Sequence, residues 1–101
     1  MMGNEPIVCA DGFSMSVQAS SHSYSTPRVD GALRYTHAEV GYPSEREILL
    51  MRWAEDEDAP TDTVYGYVPV QVIYTVCAKH GGILSGELPA GMPYLRARGV
   101  Q

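Results

Sequence analysis

The stretch that decides the fold is Asp62–Gly82, DTVYGYVPVQVIYTVCAKHGG, the longest apolar segment of the chain. Pro69 suits a first helical position, because its missing N–H would have no partner inside the helix. Gly81 and Gly82 can adopt the left-handed conformation that ends a helix. Between these two signals, side chains recur at helical spacing on one face, namely Val72, Ile73, Val76, Cys77 and His80. The pattern predicts a helix over residues 69–80.

A strand is the alternative for the same residues, because β-branched side chains favour extended backbone. Apolar side chains, most of them β-branched, occupy alternate positions from Val68 to Ala78. The length of the run and its proline and glycine boundaries favour the helix. Residues 63–68, immediately before it, alternate in β-forming side chains and predict a short strand that leads into the helix.

The rest of the chain predicts further short strands, because apolar and polar residues alternate between turn signals. A tight turn at Asp11–Gly12 joins the first two. For residues 45–53 a helix is the alternative. The predicted strands cover residues 7–10, 13–19, 32–42 and 45–53. With residues 63–68 they give an α+β fold, in which a small antiparallel or mixed sheet of about five strands has one main helix (69–80) packed on one face.

A chain of 101 residues has room for one hydrophobic core, so residues 1–101 are predicted to form a single domain. Residues 1–6 and 85–101 are expected to be poorly ordered. The sequence opens without a basic-then-apolar leader, and it has no apolar run long enough to span a bilayer. We therefore expect a cytoplasmic protein with no membrane partner.

Acidic residues concentrate in one connection, and the net charge of −5 argues against direct binding of nucleic acid. Calcium-binding loops need a spacing of carboxylates that Ala59-Pro60 interrupts. Two interpretations stay open, a solvated turn or an acidic surface that engages a protein with a basic surface. Tyr65 and Tyr67, placed on the same side of their strand, are predicted to join that contact. The acidic residues are Glu55, Asp56, Glu57, Asp58 and Asp62.

A second candidate site is a loop rich in hydroxyl groups, with the residues His22, Ser23, Tyr24, Ser25, Thr26 and Arg28. Hydroxyls and a guanidinium bind phosphate or carboxylate, and a tyrosine ring stacks on planar ligands. The alternative is a solvated serine-rich loop, since no glycine-rich loop precedes a helix. The three histidines lack zinc-site spacing and no nucleophile motif is present. We expect no metal, no cofactor and no enzymatic activity.

Three segments together resemble a family of short proteins encoded by tailed bacteriophages and prophages. They are GFSMSVQAS (Gly12–Ser20), YTHAEVGYPS (Tyr35–Ser44) and TDTVYGYVPVQVIYTVCAKHGG (Thr61–Gly82). The family lends no active-site residues to this chain. The resemblance implies a non-enzymatic, anti-CRISPR-like inhibitor that binds a defence protein of the bacterial host. One alternative is an oligomeric sponge that traps a nucleotide second messenger in the hydroxyl-rich loop, and another is a phage accessory protein of a different role.

Overall fold

The computed structural model describes residues 3–99, which form a five-stranded antiparallel sheet and one helix. The strands are β1 (Ile7–Cys9), β2 (Ser14–Gln18), β3 (His37–Gly41), β4 (Val64–Pro69) and β5 (Ile83–Ser85), and helix α1 spans Val70–Lys79. Across the sheet the order is β4-β3-β2-β1-β5. The predicted α+β fold is confirmed.

Helix α1 follows β4 without a loop, and Pro69 marks the junction. Pro69 has extended backbone (φ −62°, ψ 146°) and pairs with His37 in the sheet, so the helix begins one residue later than predicted. The face predicted to be apolar is buried at Ile73, Val76 and Cys77. The opposite side is exposed at Gln71, Thr75 and Lys79. The helical interpretation of this segment is therefore correct, and the strand alternative is wrong.

The hairpin of β1 and β2 also follows the sequence pattern. Gly12 adopts a φ of 95°, and its N–H donates to the carbonyl of Cys9 at 2.9 Å. The N–H of Phe13 donates to Asp11 Oδ1 at 2.9 Å, which fixes the turn. Beyond the turn, buried side chains alternate with half-buried polar ones. The buried positions are Phe13, Met15 and Val17, as predicted.

Residues 45–53 are not a strand, and in this segment the prediction is wrong. They form turns that end in a 3₁₀ turn at Met51–Trp53. The buried Glu47 explains the difference, since its carboxylate accepts the N–H of Leu49 at 2.9 Å and its carbonyl accepts the N–H of Leu50 at 3.0 Å. These local hydrogen bonds turn the chain, so that only Leu50 of the apolar run is fully buried.

The strand predicted over residues 32–42 is reduced to β3. Before it, Tyr35 leaves the sheet pattern, because its N–H donates to the carbonyl of Ala90 and its hydroxyl donates to the carbonyl of Val29 at 2.7 Å. Leu33 is 96% exposed. The fifth strand is instead β5, which pairs with β1 on the other side of the sheet from β4.

The chain after β5 runs beside that strand. The N–H of Ile83 donates to the carbonyl of Leu95 at 2.7 Å, and the N–H of Ala97 donates to the carbonyl of Ile83 at 3.0 Å. Met92 and Ala97 are buried. Of the termini expected to be poorly ordered, residues 1–2 and 100–101 lie outside the described residues.

A single cluster of buried side chains joins one face of the sheet to α1. It includes Cys9 and Cys77, which are both free thiols. Burial raises the pKa of Cys77 to about 12, and the neighbouring Cys9 thiol is a second, smaller cause. The Cys77 thiol therefore stays protonated and unreactive at neutral pH. The largest fully buried side chain is Tyr65, which links this core to the acidic connection described next.

Candidate functional site

The acidic loop, residues 55–62, folds against the outer edge of β4. Ala54 forms a bridge with Tyr65, and the N–H of Glu55 donates to the carbonyl of Val64 at 3.0 Å. Within the loop, Asp56 Oδ1 accepts the N–H of Asp58 at 3.0 Å. In a second turn, the N–H of Asp62 donates a hydrogen bond to the carbonyl of Ala59 at 2.9 Å. The loop backbone is therefore fixed by hydrogen bonds although its surface is hydrated.

All five predicted carboxylates of this loop are exposed: Glu55, Asp56, Glu57, Asp58 and Asp62. Among residues 3–99 there are three salt bridges, and none includes one of these five side chains. The structure therefore brings the predicted acidic group together as one surface, with its charges directed to solvent rather than to other parts of the fold.

The side chain of Tyr65 contacts the acidic loop from the protein core and is not exposed on the loop surface. Its side chain is fully buried, and its hydroxyl donates to the carbonyl of Pro60 at 2.5 Å. Burial raises the pKa of Tyr65, which keeps the hydroxyl protonated and able to donate. The prediction that Tyr65 lies beside Tyr67 on an interacting surface is wrong for Tyr65.

A β-bulge separates the two tyrosines. Val40 pairs with Tyr65 and Ala38 pairs with Val68, so two residues of β4, Gly66 and Tyr67, lie opposite the single residue Glu39. A bulge adds one residue to a strand and reverses the face on which later side chains lie. Tyr67 is accordingly 44% exposed, with a left-handed backbone at φ 54°.

The hydroxyl-rich loop uses most of its polar groups to fold itself. Ser25 is buried, and its hydroxyl donates to the carbonyl of Pro27 at 3.0 Å. Ser23 is also buried, and its hydroxyl lies 2.9 Å from the Ser20 hydroxyl. Thr26 pairs with His37 through backbone hydrogen bonds. These groups are occupied and do not converge on a ligand position.

A cleft of about 550 Å³ lies beside this loop, but it gathers only two of the six predicted residues, His22 and Ser23. The carboxylate of Asp30 lines the same cleft. Hydrogen bonds from the N–H and hydroxyl of Ser21 hold the pKa of Asp30 below its usual value, so a negative charge faces the cleft. That charge opposes a phosphate.

Tyr24 and Arg28 lie outside the cleft and form a row with Tyr67. The guanidinium carbon of Arg28 is 4.9 Å from the centre of the Tyr24 ring, and the Tyr24 and Tyr67 rings are 5.8 Å apart. The N–H of Tyr67 donates to the carbonyl of Tyr24 at 3.0 Å, which attaches this row to the edge of β4. The two sequence-predicted sites are therefore neighbours along one strand.

A group of charges around the buried side chains of His80 and Glu47 was not predicted as a unit. We call Asp11, Glu47, Lys79 and His80 the His80 cluster. His80 contacts Asp11 through Nδ1 and Glu47 through Nε2, each at 2.6 Å, and Lys79 Nζ contacts Glu47 at 2.8 Å. The imidazole is stacked on Phe13 with ring centres 4.0 Å apart. Only the position of His80 at the C-cap and on the apolar helix face could be inferred from the sequence.

The His80 cluster is charged because its members stabilise one another. Burial alone would lower the pKa of His80, but hydrogen bonds to the two carboxylates outweigh it and raise that pKa. Burial alone would raise the pKa of Glu47, but hydrogen bonds from Lys79, the N–H of Leu49 and His80 lower it. His80 is 4% and Glu47 1% exposed, so these two side chains are closed to solvent and act in the fold, whereas the side chains of Asp11 and Lys79 are about half exposed.

The described residues contain no group of three or more His, Cys, Asp or Glu side chains placed to hold one metal ion. Within residues 3–99, α1 is too short to cross a bilayer. Comparisons of the chain with protein-family models, with curated proteins and with solved structures found no match. The acidic loop and the aromatic residues beside β4 are therefore the features that bear on function.

Proposed function

We propose that this protein is a non-enzymatic binding protein whose acidic loop docks on a basic surface of a protein partner. The observation that carries the proposal is that five exposed carboxylates lie on a hydrogen-bonded loop without a salt bridge to any residue in 3–99. Unpaired charges of one sign accelerate encounter with an oppositely charged partner and select against partners of the same sign.

The fixed backbone of the loop adds to this argument. Ordering a flexible segment on binding costs conformational entropy, and a loop that is already ordered avoids much of that cost. Here β4 anchors one end of the loop through the hydrogen bond of Glu55, and Tyr65 holds the middle through the carbonyl of Pro60. The carboxylates can therefore meet a partner in the geometry that the structure describes.

The biological role that we propose is inhibition of a bacterial defence system by a phage-encoded protein, in the manner of an anti-CRISPR protein. Its support is the resemblance of three segments to short phage proteins, together with the acidic surface. Proteins that handle nucleic acid have basic surfaces that bind phosphate. A fixed row of carboxylates is a suitable competitor for such a surface, and the host cell interior would be the place of action.

The sponge for a nucleotide second messenger is the weaker alternative. The hydroxyls of Ser23 and Ser25 are used inside the loop, and Asp30 directs negative charge into the adjoining cleft. A true sponge would be stabilised by its ligand through mass action. A rise in melting temperature with cyclic oligonucleotides or ADP-ribose derivatives would favour the sponge over protein binding.

The binding proposal is tested with fluorescent peptides of alternating glycine and arginine as the basic probe. The test variant carries Glu55→Gln, Glu57→Gln and Asp58→Asn, and keeps Asp56 because that side chain accepts a loop N–H. We expect the variant to bind at least tenfold more weakly at low salt, since three charge pairs are lost, and to show a smaller dependence of affinity on salt.

A matched control removes the same charge elsewhere, through Glu5→Gln, Glu45→Gln and Glu87→Gln, which are exposed positions outside the loop. At physiological salt, where the screening length is about 8 Å, its affinity should stay within about twofold of the unmodified protein, since distant exposed charges are screened. Equal losses in the two triple variants would show that net charge alone attracts the peptide, and would overturn the proposed site.

The inhibitor role is tested in bacteria whose CRISPR system targets a plaque-forming phage. Expression of the unmodified protein should restore plaques, the loop variant should fail, and the control variant should succeed. Absence of restoration by a well-expressed protein in hosts with different defence systems would leave the binding surface intact and remove this role.

A further inference from the structure

Two residues other than glycine have positive φ within residues 3–99, and both are exposed tyrosines at β4 or directly beside it. Tyr67 has φ 54° and lies in the bulge, while Tyr42 has φ 49° and donates its N–H to Thr63. Their side chains are 44% and 59% exposed. Left-handed backbone is unfavourable for a bulky residue, and glycine is the residue that adopts it without strain. Since both rings are exposed, burial of a ring does not offset this strain.

The surroundings hold the Tyr67 backbone and place the Tyr24 ring beside the Tyr67 ring, with ring centres 5.8 Å apart. Tyr24 lies beside it, fixed by the hydrogen bond of its N–H to Glu39 Oε1 at 3.0 Å and of its carbonyl to Tyr67 at 3.0 Å. Gly66 makes room, because a Cβ atom there would lie 3.3 Å from the Cβ of Tyr24. The bulge, the glycine and the strained tyrosine thus act together to present one aromatic face.

Arginine side chains occupy other aromatic faces of this molecule. Arg28, Arg52 and Arg96 lie over the rings of Tyr24, Trp53 and Tyr94 at 4.9, 5.3 and 5.6 Å from the ring centres. The face of an aromatic ring is electron-rich and attracts a cation. Among residues 3–99, no arginine or lysine is placed over Tyr67 in this way.

We propose that the Tyr67 ring is the anchor for an arginine side chain of the basic partner. This inference rests on the proposed function and names the group that the surface selects. Tyr67 lies on β4, three residues after Val64, and the first residue of the acidic loop bonds to Val64. A guanidinium is planar and weakly hydrated, so it stacks on a ring better than the compact ammonium of lysine.

The test compares peptides of alternating glycine and arginine with peptides of alternating glycine and lysine, at one salt concentration. The unmodified protein should prefer the arginine peptide by up to about threefold, because lysine also contacts a ring face but stacks on it less well than arginine. Tyr67→Gly should abolish that preference and leave the salt dependence unchanged, because no charge is removed. Tyr67→Phe, which keeps the ring, should retain the preference.

Folding of the variant is measured in the same samples. The melting temperature of Tyr67→Gly should stay within about 4 °C of the unmodified protein, because relief of the left-handed strain offsets the lost ring contacts. If it falls further, Tyr67→Asn provides the second variant, since asparagine also tolerates this backbone.

The outcomes separate the two proposals. Equal affinity of the unmodified protein for both peptides, or an arginine preference that survives in folded Tyr67→Gly or Tyr67→Asn, overturns the anchor and leaves the acidic surface standing. If both peptides bind weakly and the loop variant binds them equally weakly, the proposal that the acidic loop is a binding surface is overturned. The proposal that Tyr67 anchors an arginine then fails as well.

Discussion

The acidic loop and the His80 cluster both contain Asp and Glu side chains and use these carboxylates in opposite ways. In the cluster, Glu47 is 1% exposed and its carboxylate meets Lys79 and His80 within 2.8 Å. In the loop, five carboxylates are exposed and none has a basic partner within residues 3–99. Buried charges must be paired to be tolerated, whereas exposed ones contribute little to stability. The contrast indicates that the cluster stabilises the fold, and it supports the proposal that the loop serves recognition.

The largest effect is expected where a new charge enters the core without a partner. Val76→Asp places a carboxylate at a fully buried position on the apolar face of α1, and the protein should not fold. Circular dichroism and thermal melting check this result. Thr75→Asp, one residue away on the exposed side, is the control and should melt cooperatively near the unmodified protein. A folded Val76→Asp protein would show that this face is not packed against the sheet.

The next largest effect follows from breaking the His80 cluster. Glu47→Ala leaves the imidazole of His80 and the ammonium of Lys79 without their shared carboxylate. Removing one partner of a buried ion pair costs about 3–5 kcal/mol in the free energy of unfolding. Chemical denaturation measures the loss. Glu45→Ala, at an exposed position nearby, should change the same free energy by less than about 0.5 kcal/mol.

The cluster also predicts a pH window of maximal stability. The pKa of His80 is raised, so its contribution is complete below the unfolded value of 6.5 and is lost as pH rises through the folded pKa. The pKa values of Glu47 and Asp11 are lowered, so their contributions are complete above the unfolded values of 4.5 and 3.8 and are lost as pH falls through the folded values. Stability should be greatest between these limits.

Denaturation midpoints measured below about pH 8 test this window, since the thiols of Cys9 and Cys77 have raised pKa values in the fold and stay largely protonated there in the unfolded chain as well. His80→Gln should lower stability at pH 6 and remove most of the decline above pH 6.5. A decline of unchanged steepness in this variant would show that another group is responsible for the alkaline limb.

A smaller effect is expected for Lys79→Met. The Lys79 side chain is 45% exposed, so solvent screens its contact with Glu47, and the loss should be about 1 kcal/mol or less. Because the lysine hydrogen bond lowers the pKa of Glu47, the acid limb of the stability curve should move to higher pH in this variant. Titration of unfolding between pH 3 and 6 checks the shift.

The helix, the β1–β2 hairpin and β4 could be predicted because their signals are local. Pro69, the apolar spacing of α1 and the glycines after it are all written within one stretch of sequence. The central part of β3 was also recognised from alternation. Such patterns depend on neighbours along the chain, which a sequence displays directly.

The bulge at Tyr67 was missed because distant residues decide it, and residues 45–53 were missed because the burial of Glu47, whose local hydrogen bonds turn the chain, depends on distant partners. Glu47 turns its segment and is held by Lys79 and His80, which are about 30 positions away in the sequence. The bulge depends on the register between β3 and β4, and it reverses the side of Tyr67 relative to Tyr65. The acidic loop could be recognised from the composition of the sequence. Its hydrogen-bonded backbone, and the lack of salt bridges to its carboxylates within residues 3–99, could be seen only in the folded structure.

The most direct test of this division of labour measures stability and binding in the same protein, the variant with Glu55→Gln, Glu57→Gln and Asp58→Asn. We predict a free energy of unfolding within about 0.5 kcal/mol of the unmodified value, because exposed unpaired charges stabilise little, together with at least a tenfold loss of affinity for the glycine-arginine peptide. Unchanged affinity, or a loss of stability comparable to that of Glu47→Ala, would contradict the assignment of the acidic loop to recognition.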